Sequence, residues 1–410
     1  MNIVRTYLYK LKPTDKHIIQ FEQWLGVCRL IYNMALEIKD AWYKKRRVNI
    51  SKGELQKQIT DIRNEWEWIG DVHSQVLQDV TDRLFRAYDN FFRRVKEKRK
   101  GKKQKVGFPK FAKKHKFISF GFKQGVKIHP NTNVISLPKI GKIKYRNSRE
   151  LKGEILHTRV IKKADGWYVA ITTELKTSKL PSKKPKRKYI ANDLGLIHLI
   201  VDSNGYKIQT PKYYRGNEKK LRLLQRAVSR KKLGSSNWKK AQQKVARQHK
   251  IIADSRKDFL HKVSSNQVNE NQVIGFEDLN ISGMVRNHNL SKSILDAGWG
   301  MLMAMTKYKC DWYGRTMVKL NRFYPSSKKC STLNCDYVMD KLPLNIRTWT
   351  CPKCKTIHDR DENASTNLEV ELKKAVGHTV SSCGVPKGKH CRTSTSEKSE
   401  CKFDKPKNLR

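Results

Sequence analysis

The chain has 410 residues, with 88 Lys plus Arg against 37 Asp plus Glu and a formal charge of +51. Self-repulsion on that scale opposes a compact state unless a polyanion neutralises it, which points to nucleic acid; with 38% hydrophobic residues the chain is not wholly disordered, and no apolar run approaches the roughly 20 residues that span a bilayer. With no amino-terminal hydrophobic signal core, the nine cysteines are expected as thiols or metal ligands in a reducing compartment, not as disulfides.

Val4 to Leu11 alternates and ends at Pro13, which predicts a strand whose partner lies far along the chain. From Asp15 to Lys98 the period becomes helical, with Phe21, Trp24, Leu25, Cys28, Ile31 and Tyr32 on one stripe and Val76, Val80, Leu84, Tyr88 and Phe91 on another. Residues 96 to 116 hold eleven Lys or Arg and one acid, broken by Gly101, Gly107 and Pro109, as in a phosphate-contacting loop. Short alternating runs between Phe117 and Leu175, including the strand Trp167 to Thr173, are expected to pair with the first strand in one small barrel around the helical insertion.

Lys176 to Lys188 reads as a basic linker, with seven basic residues of thirteen and two prolines. Beyond it, strands Tyr189 to Leu194, Ile197 to Ser203 and Tyr206 to Thr210 form an antiparallel meander with an Asn204-Gly205 turn. Two basic helices follow, near 217 to 232 and 236 to 270; Trp238, Val245, Ile252 and Phe259 recur every seven residues in the second and predict a helical hairpin with a heptad seam. Its outward Arg222, Arg226 and Arg230 are expected to face phosphates, against the alternative of a solvated face. The strand Gln272 to Phe276 precedes Glu277, a helix covers Ala297 to Tyr313, and a tail from about 376 is poor in apolar residues and expected to be disordered.

Two constellations carry chemistry. Cys330 and Cys335 enclose four residues, Cys351 and Cys354 enclose two, and fifteen lie between the pairs. That is the pattern of a closed four-thiolate zinc site, structural because no position is left for water. Asp193, Glu277 and Asp361 lie at strand ends or at a helix entry in a chain poor in acids. A single such acid is ordinarily a cap or a surface charge, but three from separate elements could together hold two divalent cations roughly 3.5 to 4 Å apart for phosphodiester hydrolysis.

The segments Asn192-Asp193-Leu194-Gly195-Leu196, Glu277-Asp278-Leu279, Asp296 to Gly300, Thr348 to Cys354 and His358 to Ala364, with Gly107-Phe108-Pro109 and Trp312-Tyr313-Gly314, resemble the TnpB family of transposon-encoded relatives of type V CRISPR nucleases. The resemblance runs to about residue 370. It implies an α+β multidomain protein: a wedge-like β-barrel (1–13 plus 106–180), a helical recognition insertion (14–105), a basic linker (181–188), an RNase H-like RuvC nuclease domain (189–325 plus 358–375) and an inserted zinc ribbon (326–357), with a disordered tail (376–410).

The implied activity is RNA-guided, metal-dependent DNA cleavage next to a short motif. Asp193, Glu277 and Asp361 would hold two Mg2+, the four cysteines one structural Zn2+, and the partners would be a guide RNA from the mobile element and double-stranded target DNA, with no membrane. Ser74, Gln75 and Gln78 occupy a motif-reading position, where Gln can pair bidentately with adenine; a polar residue on an amphipathic helix needs no such role. Asp278 and Asp359 are expected to be structural. The position before Asp193 is commonly aliphatic in the family and here is Asn192, a buried polar side chain that needs partners. The setting implied is prokaryotic, cytoplasmic and nucleoid-associated. Two alternatives stay open: a strand-transfer transposase, disfavoured by the order Asp, Glu, Asp and by the lack of a recognisable helix-turn-helix, and a guided DNA-binding repressor, which intact acids disfavour.

Overall fold

A computed structural model describes residues 2–382 except 103, 178, 183 and 344. Strand β1 (Ile3–Lys12) leads into helices α1 (Asp15–Arg46), α2 (Lys52–Glu65), the one-turn α3 (Glu67–Gly70) and α4 (Ser74–Arg99). Strands β2 (Ser119–Phe122), β3 (Lys127–His129), β4 (Val134–Leu137), β5 (Gly141–Arg146), β6 (Glu154–Lys163) and β7 (Gly166–Leu175) follow. The distant partners required by β1 are β5, with Leu11 opposite Tyr145, and β7, with Thr6 opposite Thr172.

These strands make one antiparallel sheet in the order β2-β6-β7-β1-β5-β4-β3, and no ladder joins β2 to β3 among the described residues. The two helical stripes close over it: Phe21 of α1 lies 4.8 Å from Trp167 and 5.7 Å from Phe120, ring centre to ring centre. Asp79, buried on α4, ties that helix to the sheet through Arg159 of β6 at 2.8 Å and pairs with Arg83 of its own helix at 3.0 Å. Burial pushes its carboxyl up, but hydrogen bonding from His157 and the charge of Arg159 hold it below the usual range.

A second sheet begins with β8 (Arg187–Asp193), β9 (His198–Asp202) and β10 (Lys207–Gln209), the expected meander; its first strand starts two residues before the expected Tyr189. Asp202 closes the Asn204-Gly205 turn by accepting from the N–H groups of Asn204 and Tyr206. Helices α5 (Tyr213–Ser229) and α6 (Ser236–Glu270) pack as the predicted hairpin; Leu221, Val245 and Ile252 are buried in the seam and Trp238 and Phe259 half-buried.

Next come β11 (Asn271–Glu277), the short α7 (Ile281–Met284), α8 (His288–Ala297), α9 (Trp299–Tyr313) and β12 (Thr316–Leu320). The sheet order is β10-β9-β8-β11-β12, with β8, β11 and β12 parallel and β9 and β10 antiparallel. A short hairpin, β13 (Thr348–Thr350) and β14 (Ile357–Asp359), leads into α10 (Arg360–Ser382). Helix α10 therefore continues past 376, where the sequence predicts disorder to begin, and the rest of that tail lies outside the described residues. Neither β12 nor α8 is anticipated from sequence.

The sheet has two apolar faces. Ile190, Ile274 and Phe276 meet Leu302 and Met305 of α9 on one, while Ala191, Val273 and Leu320 meet Leu368 and Leu372 of α10 on the other.

Candidate active site and cysteine cluster

Strand alternation decides where the acids point. In β8, Ile190 faces α9 and Ala191 faces α10, so Asp193 faces α10; in β11, Val273 faces α10 and Phe276 faces α9, so Glu277 also faces α10. The strands are parallel neighbours, with Asn192 beside Phe276, which sets Asp193 and Glu277 side by side at their carboxyl ends. Asp361 stands in the first turn of α10, the helix packed on this face.

Asp193 feels both of the other acids. Burial raises the Asp193 carboxyl to about 7, and the charges of Glu277 and Asp361 push the same way. Burial also raises Glu277, in spite of Arg322. Among the described residues, the cysteines are the one cluster of three or more such donors close enough together to hold a single ion. The three carboxylates are not such a cluster, and two of them have a cation nearby, Arg322 for Glu277 and Arg347 for Asp361.

The neighbouring acids are employed elsewhere, as the sequence suggests. Asp278 is held by Lys319 at 3.0 Å and Arg322 at 2.7 Å. Asp359 caps α10, its Oδ1 accepting from the N–H groups of Asp361 at 2.9 Å and Glu362 at 3.1 Å. Asn192 is fully buried and donates from Nδ2 to the Gly275 carbonyl at 3.2 Å, stitching β8 to β11 just before the acids. Gly195 makes the turn after Asp193 possible, since a Cβ there would stand 2.8 Å from the His198 carbonyl oxygen.

Cys330, Cys335, Cys351 and Cys354 bring their sulfur atoms within 4.8 Å of one another. The 330–354 and 335–351 separations are 3.6 and 3.7 Å, close to the ~3.8 Å edge of a tetrahedron with metal–sulfur bonds of about 2.3 Å. Thr356, then Thr332, pull the Cys354 thiol down to about 5, which favours the thiolate a metal requires. The four residues between Cys330 and Cys335 are compatible with this geometry. Cys28 and Cys310 are buried away from the cluster; burial pushes Cys310 up to about 12 and Cys28 higher still.

The remaining candidates divide. Ser74 and Gln78 are exposed on α4 and line one small cavity, whereas Gln75 is half-buried and its Oε1 accepts the Gln124 N–H at 2.9 Å. Arg222 and Arg226 are exposed on α5, and Arg230, also exposed, lies just beyond its end. Two neighbours of Asp361 have no signal in the sequence: Arg347, whose guanidinium lies 3.3 Å from Asp361 Oδ1, and the buried Asn363. The second lies inside the His358 to Ala364 motif, but only its contacts distinguish it. No helix among the described residues is long and apolar enough to cross a membrane.

Family models match three stretches: "Probable transposase" (OrfB_IS605 type) over residues 169–288, "Cas12f1-like, TNB domain" over 299–368 and "Helix-turn-helix domain" over 1–47. The last corrects the expectation of no such motif at the level of family matching, although the residues matched form β1 and one continuous helix, α1. A Streptomyces pristinaespiralis protein named "Putative RNA-guided DNA endonuclease" is 35% identical, the match covering 93% of this chain and 91% of that protein. Escherichia coli InsQ, of the same description, is 29% identical over 94% of this chain and 95% of its own. In fold, the chain is similar to Cas12f1 from a complex with single-guide RNA and target DNA, with TM-score 0.58, 12% identity, and coverage of 90% of this chain and 99% of that one. Motifs, fold and relatives agree, and the chain belongs to the TnpB family, whose structural kin include the type V CRISPR nucleases.

Proposed function

We propose that the protein is an RNA-guided, divalent-metal-dependent DNA endonuclease with a RuvC-type centre formed by Asp193, Glu277 and Asp361. One observation carries this reading. Three acids from two parallel strand ends and one helix entry lie on one face of a sheet ordered β10-β9-β8-β11-β12, where burial raises Asp193 to about 7 and the charges of Glu277 and Asp361 push the same way. That strand order, with a three-stranded meander joined to two parallel strands, supports the RNase H-like domain that the resemblance implies. The names of the relatives support guided DNA cleavage, and the fold likeness supports a guide RNA and a target duplex as partners.

Two Mg2+ ions at the carboxylates would supply an activated water and stabilise the leaving oxygen. Asp193 and Glu277, fixed by the ladder between β8 and β11, hold their carboxylates at a constant spacing, and Asp361 closes the site from α10. Ionised Asp193 is costly in the free site and is neutralised when a cation is held there. Sequence selection lies with base pairing, while basic surfaces such as the outer face of α5 grip phosphates without reading bases.

The four cysteines hold one structural zinc, the open first sheet with its helical insertion is the wedge and recognition region, and 326–357 is the zinc insert. Ser74 and Gln78 stay candidates for reading the adjacent motif, in a prokaryotic cytoplasm where an element's own RNA would be at hand. The test is cleavage of a duplex by the protein copurified with its RNA, in Mg2+ and in chelator. Cutting that needs both RNA and Mg2+ supports the reading; target binding with no cutting in Mg2+ would favour a guided repressor.

A further inference from the structure

The turn of helix that carries Asp361 is held from the cysteine-rich insert as well as from the sheet. Asn363, 2% exposed, spreads its Nδ2 hydrogens over the carbonyls of Ser326, Ser327 and Lys329 at 3.3, 3.3 and 2.8 Å, and its Oδ1 accepts the Ser331 N–H at 3.0 Å. One side chain thus satisfies backbone groups on both sides of Cys330, two residues along the helix from Asp361. Asn367, one turn on and 3% exposed, donates to the same Ser326 and Lys329 carbonyls at 2.9 and 2.6 Å.

The link is closed at the start of the helix. His358 Nε2 lies 3.1 Å from Cys330 Sγ, the Arg360 N–H donates to the Arg347 carbonyl at 2.7 Å, and the Arg347 guanidinium reaches Asp361.

We propose that Asn363 is a positioning residue that couples the four-cysteine cluster to the cation site, so that occupation of the thiolates by zinc and the affinity of the carboxylates for a divalent cation rise and fall together. This rests on the reading of Asp193, Glu277 and Asp361 as cation ligands. If the Cys330 knuckle loosens, the buried Asn363 amide loses its acceptors. The first turn of α10 must then move, and Asp361 moves with it. Partners that orient metal ligands are worth roughly 10- to 100-fold in metal affinity, and coupling between two binding sites is reciprocal. The task needs a side chain that both donates and accepts; Asp at this position would keep the shape and lose the donors.

The test uses the full chain without nucleic acid and Mn2+ as the probe, titrated by the electron paramagnetic resonance signal of the free ion, with zinc content measured in parallel. Asn363→Asp is expected to keep its zinc and bind Mn2+ roughly 10- to 100-fold more weakly. An added negative charge would by itself tighten cation binding, so a loss cannot come from the field. Wild-type protein stripped of zinc is expected to show the same loss, and that arm holds even if the variant does not fold. Unchanged Mn2+ affinity in either preparation overturns the coupling, whatever happens to melting temperature. Asp193→Asn is the reference: Mn2+ binding undiminished there would overturn the carboxylate reading itself, whereas binding weakened there but unchanged in Asn363→Asp would overturn the coupling alone.

Discussion

Gly275 of β11 and Leu372 of α10 meet so closely that a Cβ on the glycine would lie 3.1 Å from Leu372 Cδ2 and 3.3 Å from its Cδ1. The contact sets the distance of α10 from the sheet, and with it the distance of Asp361 from Asp193 and Glu277. Gly275→Val is expected to push α10 outward, costing about 1–3 kcal/mol as an overpacked core and lowering cleavage more than target binding. Thermal unfolding and paired binding and cleavage assays measure both; full cleavage in a destabilised variant would show that the spacing is not critical.

Asp193 makes stability depend on pH. Its folded carboxyl is raised to about 7 from an ordinary 3.8, so its contribution is fully present below the unfolded value and is lost as pH rises through about 7. Metal-free protein is therefore expected to lose on the order of a few kcal/mol between pH 4 and 8, and Mg2+ to restore much of it at pH 8. Asn at 193 should flatten that dependence, abolish the Mg2+ effect and lower cleavage by at least ~100-fold, the scale of losing a preorganised charged group. Denaturant titrations at three pH values, with and without Mg2+, test the sign; a wild type that gains stability over this range would contradict it.

Cys351→Ser and Cys354→Ser are expected to lose zinc and several kcal/mol of local stability, because the insert's small cluster of Leu342, Trp349 and the cysteines is too small to hold itself. Elemental analysis and limited proteolysis of residues 326–357 are the measurements. A full complement of zinc in either variant would remove that cysteine from the ligand set.

Arg222, Arg226 and Arg230 are exposed, while Leu221 turns into the seam with α6. Reversing the three charges is expected to leave the helical signal intact and to weaken RNA or heteroduplex binding equally for every guide. Removing one Arg–phosphate interaction should flatten the log–log salt dependence by roughly one unit. An unchanged salt slope in a folded variant would move the phosphate-binding face elsewhere, with the basic residues 96 to 116 the next place to look.

Periodicity and spacing are local properties, and what they encode was legible in the chain itself. The heptad seam of α6, the meander after the basic linker, the cysteine pairs and the strand-end position of Asp193 and Glu277 all follow from residues a few places apart. So does the need of β1 for a distant partner, though not the identity of β5 and β7. Whether the acids share one face depended on registers between segments some 80 residues apart, such as Asn192 beside Phe276, and on the parity of each strand relative to its core.

The same holds for the residues that support the site. Gly275 has no helical or strand signature of its own, and its role exists only because Leu372 packs against it. Asn363 reads as one more polar residue in a motif until the Cys330 knuckle closes over it, and Arg347 as one of 88 basic side chains until β13 and β14 pair. Hydrophobic period and donor chemistry are written along the chain, but which donors meet is fixed by packing between distant elements, so only the tertiary structure could assign these partners.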